Sequence, residues 1–136
     1  KANGAESEVL ERELTKKDVV GWLRNTERKP WALCVPYDLD GEKRAMYPDI
    51  LLLRSEGKRL VVDLIDPHAI SLADAPAKAA GLAQFAALHA DKFGRIELIM
   101  VDGTTSKRLD LVDELVRNRV RGIKSPTELR ALFDSA

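Results

Sequence analysis

The chain has 136 residues, 45% hydrophobic and 32% charged, which is the length of one domain with enough apolar content to bury a core. Its 22 Lys and Arg balance 22 Asp and Glu, so the net charge is zero and the electrostatic footprint of an autonomous nucleic-acid binder is absent. The single cysteine, Cys34, excludes an internal disulfide, and one cysteine with two histidines does not make a zinc framework. No apolar run approaches the roughly 20 residues of a membrane span and no signal peptide is visible, so a cytoplasmic protein without membrane partners is expected. The first residue is Lys1, and a fragment of a longer protein is expected.

In chain order, Glu6 to Asn25 reads as helix, with Val9, Leu10, Leu14, Val19, Val20 and Leu23 recurring at helical spacing and a break near Thr15 and Asp18. Glu6 and Glu13 fall on one side of it, seven residues apart. Arg24 to Pro30 is a polar, basic loop. Ala32 to Tyr37 reads as a strand with Cys34 as a small core residue, and Asp38 to Gly41 as a turn. A second strand spans Arg44 to Arg54, Ser55 to Lys58 is a further turn, and a third strand runs from Arg59 or Leu60 to Ile65, completing a meander.

A helix is predicted from Asp74 to Lys92, with Asp74 as N-cap, Pro76 in the first turn and Gly94 beyond the end. Lys78 aligns with Leu82, Phe85 and His89 on its inward stripe. Ile96 to Val101 forms a fourth strand, set parallel to an earlier one by a right-handed crossover. Ser106 caps a helix carrying Leu109, Val112, Val116 and Val120 and stopped by Gly122, and Ser125-Pro126-Thr127-Glu128 opens a last helix with a capping box. The predicted order is α-β-β-β-α-β-α-α, an α/β domain with a mixed four-stranded sheet and helices on both faces.

Asp63 requires explanation, because Val61, Val62, Leu64 and Ile65 surround it in the third strand. Desolvating an unpaired carboxylate costs on the order of several kcal/mol, so it must be neutralised, paired or bound to a cation. Arg44, Arg54 and Arg59 are the candidate partners for a purely structural ion pair. Asp49, directly after Pro48 at the start of the second strand, is the other notable acid.

This element order, with Pro48-Asp49 and the strand acid Asp63, resembles the PD-(D/E)XK nuclease superfamily over nearly the whole chain. The resemblance implies a restriction-endonuclease-like αβββαβ core in which Asp49 and Asp63 hold Mg²⁺ or Mn²⁺, and a lysine orients the attacking water for DNA hydrolysis. Hard oxygen ligands suit Mg²⁺, and the metal stabilises the leaving oxygen. Here the expected lysine position is Ile65. Two alternatives remain open: Lys78 on the following helix replaces it, or the motif is displaced to Asp66-Pro67-His68. Strand alternation puts Asp63 and Asp66 on opposite faces, so both cannot be ligands without a twist or bulge, and Asp63 is the preferred one while Asp66 and His68 remain candidates. By the same resemblance Gln84 is a substrate-contacting helix glutamine, and Glu6 and Glu13 are candidates for a first-helix acid.

The segments VVGWLRN, YPDILLL and LADAPAKAAGLAQFAALHADKFGRIE further resemble the nuclease-like domain of bacterial DEAD/DEAH-type helicases related to type III restriction subunits. That implies a helicase or ATPase portion in the parent chain and a role in restriction or phage defence. Arg24, Asn25, Arg28 and Lys29, with Trp22 and Trp31, form a basic and aromatic cluster suited to DNA contact, although the indole rings also suit packing of helix on sheet. A catalytically degenerate nuclease-fold module for nucleic-acid binding or protein docking is the alternative, favoured by Ile65, and a purely structural α/β accessory domain, which predicts Asp63 bonded to an arginine with no cleft beside it, is a third.

Overall fold

Strand pairing organises this chain more extensively than its apolar spacing predicts. The computed structural model describes residues 4–26, 29, 32–67, 72–102 and 105–135. The elements are α1 (Gly4–Leu14), β1 (Val19–Arg24), β2 (Val35–Leu39), β3 (Glu42–Met46), β4 (Ile50–Glu56), β5 (Arg59–Pro67), α2 (Ala75–His89), β6 (Ile96–Asp102), β7 (Thr105–Asp110), α3 (Glu114–Arg121) and α4 (Pro126–Asp134). A 3₁₀ turn at Ala90–Lys92 extends α2.

β1, β4, β5, β6 and β7 lie side by side in that order in one mixed sheet, while β2 and β3 form a separate hairpin. Among the described strands only β5 and β6 pair in parallel, as expected for strands joined through a helix. The two faces bury different sets of residues. Leu64, Ile96 and Leu98 pack with α2 through Leu82, Ala83 and Ala86, and Leu129 and Phe133 of α4 join that core. On the other face Ile50, Leu52, Ile65 and Ile99 pack with Val9 of α1.

The domain is thus mixed α/β with helices on both faces, and its sheet has five strands. Four local readings are corrected. The first helix stops at Leu14, and Val19–Arg24 is an edge strand: Val19, Val20 and Trp22 are β-favouring residues, and pairing with β4 outweighs an apolar spacing that suits either state. The segment led by Ser106 is strand β7, because alternation sends Leu109 into the α2-side core while Arg108 meets acids on the other face. Arg44 to Arg54 is not one strand. It breaks before Pro48, which has no N–H for a ladder, so the three predicted strands are divided between two sheets. Cys34 is exposed and is not a core residue.

The turns follow backbone demand. Asp40 and Gly41, at φ 52° and 79°, join β2 to β3 as a two-residue hairpin loop, and Gly57 at φ 64° opens the loop between β4 and β5. The last helix starts as predicted: Ser125 Oγ accepts from the Glu128 N–H at 3.2 Å. The reciprocal bond is offset by one residue, from the Lys124 N–H to Glu128 Oε2 at 2.8 Å.

The β2–β3 hairpin is seated on α2 by a close backbone approach. A Cβ at Gly81 would stand 2.5 Å from Tyr37 Cβ and 2.8 Å from the Pro36 carbonyl oxygen. Gly81→Ala is therefore expected to lower stability by about 1–3 kcal/mol despite the better helix propensity of alanine. Thermal unfolding measures this, and an unchanged or raised Tm would show that the hairpin yields without loss.

Candidate functional site

The acids of the sheet fall into two groups, one on each face. Asp63 shares its face with Ile65 and α1, and it is fully buried. Both of its oxygens are engaged. Oδ1 accepts from Arg54 Nη2 at 3.1 Å and from the Arg95 backbone N–H at 2.8 Å. Oδ2 accepts from Arg54 Nε and, at 2.9 Å, from Arg95 Nε. The bond to Asp63 also pushes the Arg54 guanidinium further toward permanent charge.

A larger network continues from this clamp. Arg95 Nη2 reaches Glu13 Oε1 at 2.7 Å, and Arg108 Nη1 reaches Glu13 Oε2 at 2.7 Å and Glu97 Oε1 at 2.8 Å. Glu13, 1% exposed, is additionally paired with Lys16 at 3.0 Å. Burial alone would push the Glu13 carboxyl up, but the bonds from Arg95, Lys16 and Arg108 outweigh it and hold the group at about 2. Of the three arginines anticipated for Asp63, Arg54 is the one that pairs with it; Arg44 lies on the separate hairpin and Arg59 is exposed.

Asp49 and Asp63 are not brought together. The unbroken β4–β5 register sets Asp63 opposite Leu52 and Ile65 opposite Ile50. Continuing it one step places Asp49 beside Asp66, and the Asp49 N–H donates to Asp66 Oδ1 at 3.3 Å. Asp66 is three residues along β5 from Asp63, roughly 10 Å at strand rise, and on the opposite face. The preferred second acid is thus corrected: both oxygens of Asp63 are consumed by a structural clamp, and Asp66 is the acid beside Asp49.

The remaining candidates divide. Lys78 is half-buried on α2 and forms an ion pair with Asp74 at 3.3 Å. Glu13 is structural, held by three cations. Gln84 is exposed on a groove of about 430 Å³ between α2, the β2–β3 hairpin and Arg121. Asn25 is 5% exposed and cannot present its amide to a ligand, because Nδ2 donates to the Leu33 carbonyl at 2.7 Å and Oδ1 accepts from the Leu33 N–H at 2.7 Å. Arg24 ends β1 opposite Ile50, Lys29 is exposed, and Trp22 is 43% exposed. His68, Arg28 and Trp31 lie outside the described residues, as does the side chain of Glu6.

Sequence reasoning missed Arg95, Arg108 and Glu97. The signal was Gly94-Arg95 immediately before a strand: a Cβ at Gly94 would overlap Asp63 Oδ1, Val61 and Arg54 Nη2, so the clamp requires glycine there. Among the described residues, no group of three or more His, Cys, Asp or Glu side chains is placed to hold a metal ion. No helix among them is long and apolar enough to cross a membrane.

These features define a mixed α/β domain with a buried ion network on one sheet face and an adjacent acid pair at a strand end on the other. The chain belongs to the YagJ family, whose model matches residues 1–136. It is 33% identical over 119 residues to Protein YagJ of Escherichia coli strain K12, an overlap covering 87% of this chain and 49% of that protein. The chain thus spans about half the length of this curated relative. No solved structure matches it.

The network has a pH consequence of definite sign. Glu13 is depressed from an ordinary value of 4.5 to about 2, so its stabilisation is complete above pH 4.5 and is lost as pH falls toward 2. The loss is on the order of 3 kcal/mol. Denaturant unfolding at stepped pH should show this decline in the wild type and a lower, flatter profile over the same window in Glu13→Gln. Coincident profiles would remove Glu13 from the network's energetics.

Proposed function

We propose that this domain is a metal-dependent phosphodiester hydrolase acting on DNA, with Asp49 and Asp66 as its metal-holding acids. The observation that carries this reading is the hydrogen bond from the Asp49 N–H to Asp66 Oδ1, which joins two carboxylate residues at the shared end of adjacent strands. With the β2–β3 hairpin taken as an insertion, the remaining order is α1, β1, β4, β5, α2, β6, which agrees with an αβββαβ core. Asp66 also begins Asp66-Pro67-His68, so the displaced form of the motif is the one the register favours.

The donor chemistry fits Mg²⁺ or Mn²⁺. Mg²⁺ is commonly held by one or two carboxylates and otherwise by water and substrate phosphate, so a pair of hard oxygen donors is sufficient. When bound, the metal would lower the pKa of water and offset charge on the leaving oxygen. The chain's own contribution is positional. β4 and β5 fix the separation of the two acids, and the Asp49 N–H donates to Oδ1 of the buried Asp66. In the displaced motif His68, two residues after Asp66 in sequence, would be the water-orienting group. Lys78 can serve only by leaving Asp74.

A second reading, a degenerate module that binds DNA or docks protein without cleaving, is favoured by one observation: among the described residues no third metal-ligating side chain joins the acid pair. Nicking of supercoiled DNA with Mg²⁺ or Mn²⁺ separates the two. The hydrolase reading expects nicking by the wild type and a loss of at least about a hundredfold in Asp49→Asn and Asp66→Asn, whose side chains keep their shape. Asp63→Ala should instead lose stability, by about 3–5 kcal/mol, because it removes the buried carboxylate that Arg54 and Arg95 share. Absence of nicking together with no rise in Tm on adding Mg²⁺ would select the binding module.

A further inference from the structure

The groove between α2 and the β2–β3 hairpin has no part in the chemistry above, and neither Asp49 nor Asp66 lines it. Its volume of about 430 Å³ lies in the range of small-molecule sites. Three elements supply its polar groups: Asp38 and Lys43 come from the hairpin, Gln84 from α2 and Arg121 from the end of α3. Ala77, Ala80 and Gly81 add an apolar wall. The close approach of Gly81 to Pro36 and Tyr37 fixes helix and hairpin against each other, so the groove is formed in advance of any ligand.

The charges of this lining do not cancel. Lys43 Nζ pairs with Asp38 Oδ1 at 2.9 Å, so the hairpin contributes a cation and an acid that balance each other. Arg121 differs: among the described residues its guanidinium has neither an ion pair nor a hydrogen bond, and the Gln84 amide has none either. The hairpin backbone adds a further donor. Asp40 and Gly41 make a two-residue loop, so Leu39–Glu42 and Tyr37–Arg44 are the hydrogen-bonded pairs and the Asp38 N–H is directed outward from the free edge of β2. The Pro36 carbonyl, on the same edge, lies 2.8 Å from where a Gly81 Cβ would stand, which sets that edge against α2. One unpaired guanidinium suits one anionic group, and its forked N–H donors match a carboxylate or a phosphate equally. We propose that the groove binds a small organic acid, its carboxylate or phosphate head group paired with Arg121, its other polar atoms meeting Gln84 and the Asp38 N–H, and its apolar body laid on Ala77 and Ala80. The proposal does not rest on the hydrolase reading.

The test titrates the full chain with matched probes at constant ionic strength and neutral pH, following backbone amide chemical shifts. Acetate and inorganic phosphate supply the head groups alone; benzoate and phenyl phosphate carry the same head groups on an apolar body. At least one of the two bodied probes should bind several-fold more tightly than its bare head group, with the largest shifts at Asp38, Gly81, Gln84 and Arg121. Which of the two binds tells carboxylate from phosphate. Arg121→Gln should weaken that probe by at least about tenfold, the scale of a hydrogen bond to a charged group. Arg119→Gln removes the same charge from the same helix outside the groove and should leave binding unchanged. Ala80→Leu fills the apolar wall at constant charge and should abolish binding of the bodied probe.

Arg121 is exposed, so Arg121→Gln keeps the test decisive should Ala80→Leu fail to fold. Four results would overturn the proposal: no saturable binding of either bodied probe by the wild type, equal binding by Arg121→Gln, an equal loss in Arg119→Gln, or bodied probes no tighter than acetate and phosphate. The first removes the site, the second and third reduce it to general attraction by surface charge, and the fourth removes the apolar contact. Nicking of DNA has no bearing on any of these readings, so the groove and the acid pair stand or fall separately.

Discussion

The clamp of Arg54 and Arg95 on Asp63 is the constraint on which the sheet depends. It joins β4, β5 and the residue that leads into β6, and it does so in a fully buried position. The backbone bonds around it are part of the same junction: the Gly94 N–H donates to the Val62 carbonyl and the Leu64 N–H to the Arg95 carbonyl, each at 2.8 Å. Parallel strands receive no help from a tight turn, so their register must be fixed by contacts made after the helix returns. Here a charged side chain on each partner supplies that fix. Such a cluster adds little net stability compared with a well-packed apolar one, since desolvation of the ions offsets most of their attraction. Its effect is discrimination. A one-residue slip of β6 would carry Arg95 away from Asp63 and cost the fully buried carboxylate two of the four hydrogen bonds it accepts from Arg54 and Arg95.

The same network orients α1. Glu13 lies near the end of the helix and meets Arg95 and Arg108, while Val9, one turn earlier, packs with Ile50 and Ile65. The helix therefore runs antiparallel to β5, and its first turn is directed toward the strand end that carries Asp66. At one end of the sheet the buried acids Asp63 and Glu13 are paired with arginines. At the other, the buried Asp66 accepts from the Asp49 N–H. A domain with equal numbers of acids and bases can thus contain an arginine-bound structural cluster and a separate acid pair, and composition does not distinguish them.

Some of this was legible in the residues. The apolar run of Leu60 to Ile65, the two-residue loop at Gly57-Lys58, the Ser125 cap and the β-α-β crossover were all readable, because each rests on local backbone demand or on a short apolar run bounded by turn residues. The segments 19–24 and 105–110 were not, because their apolar spacing fits either period and pairing with a neighbouring strand decided between them. Asp63 was correctly marked as a residue that needs a partner, and Arg54 was among those expected. Arg95 could not be found from spacing, since it lies 32 residues away and reaches Asp63 only after β6 has docked. Asn25 looked like a surface polar residue for the same reason: its side-chain partner is the backbone of Leu33, eight residues on.

The parity of the interval between Asp63 and Asp66 determines how the acids divide. Three residues is an odd step, and in a strand without a bulge an odd step changes face. The β4–β5 register is unbroken from Glu56–Arg59 to Ile50–Ile65, so no local irregularity reunites the two acids. One of them must lie on the α1 face with the arginines, and the other on the α2 face, where the chain leaves the sheet. Pro48 settles which acid Asp49 joins, because the ladder resumes after it at Ile50 and the next position outward on β5 is Asp66. The sequence Asp-Leu-Ile-Asp therefore carries two separate instructions one strand apart in orientation: the first acid locks the register, and that register then delivers the second to Asp49.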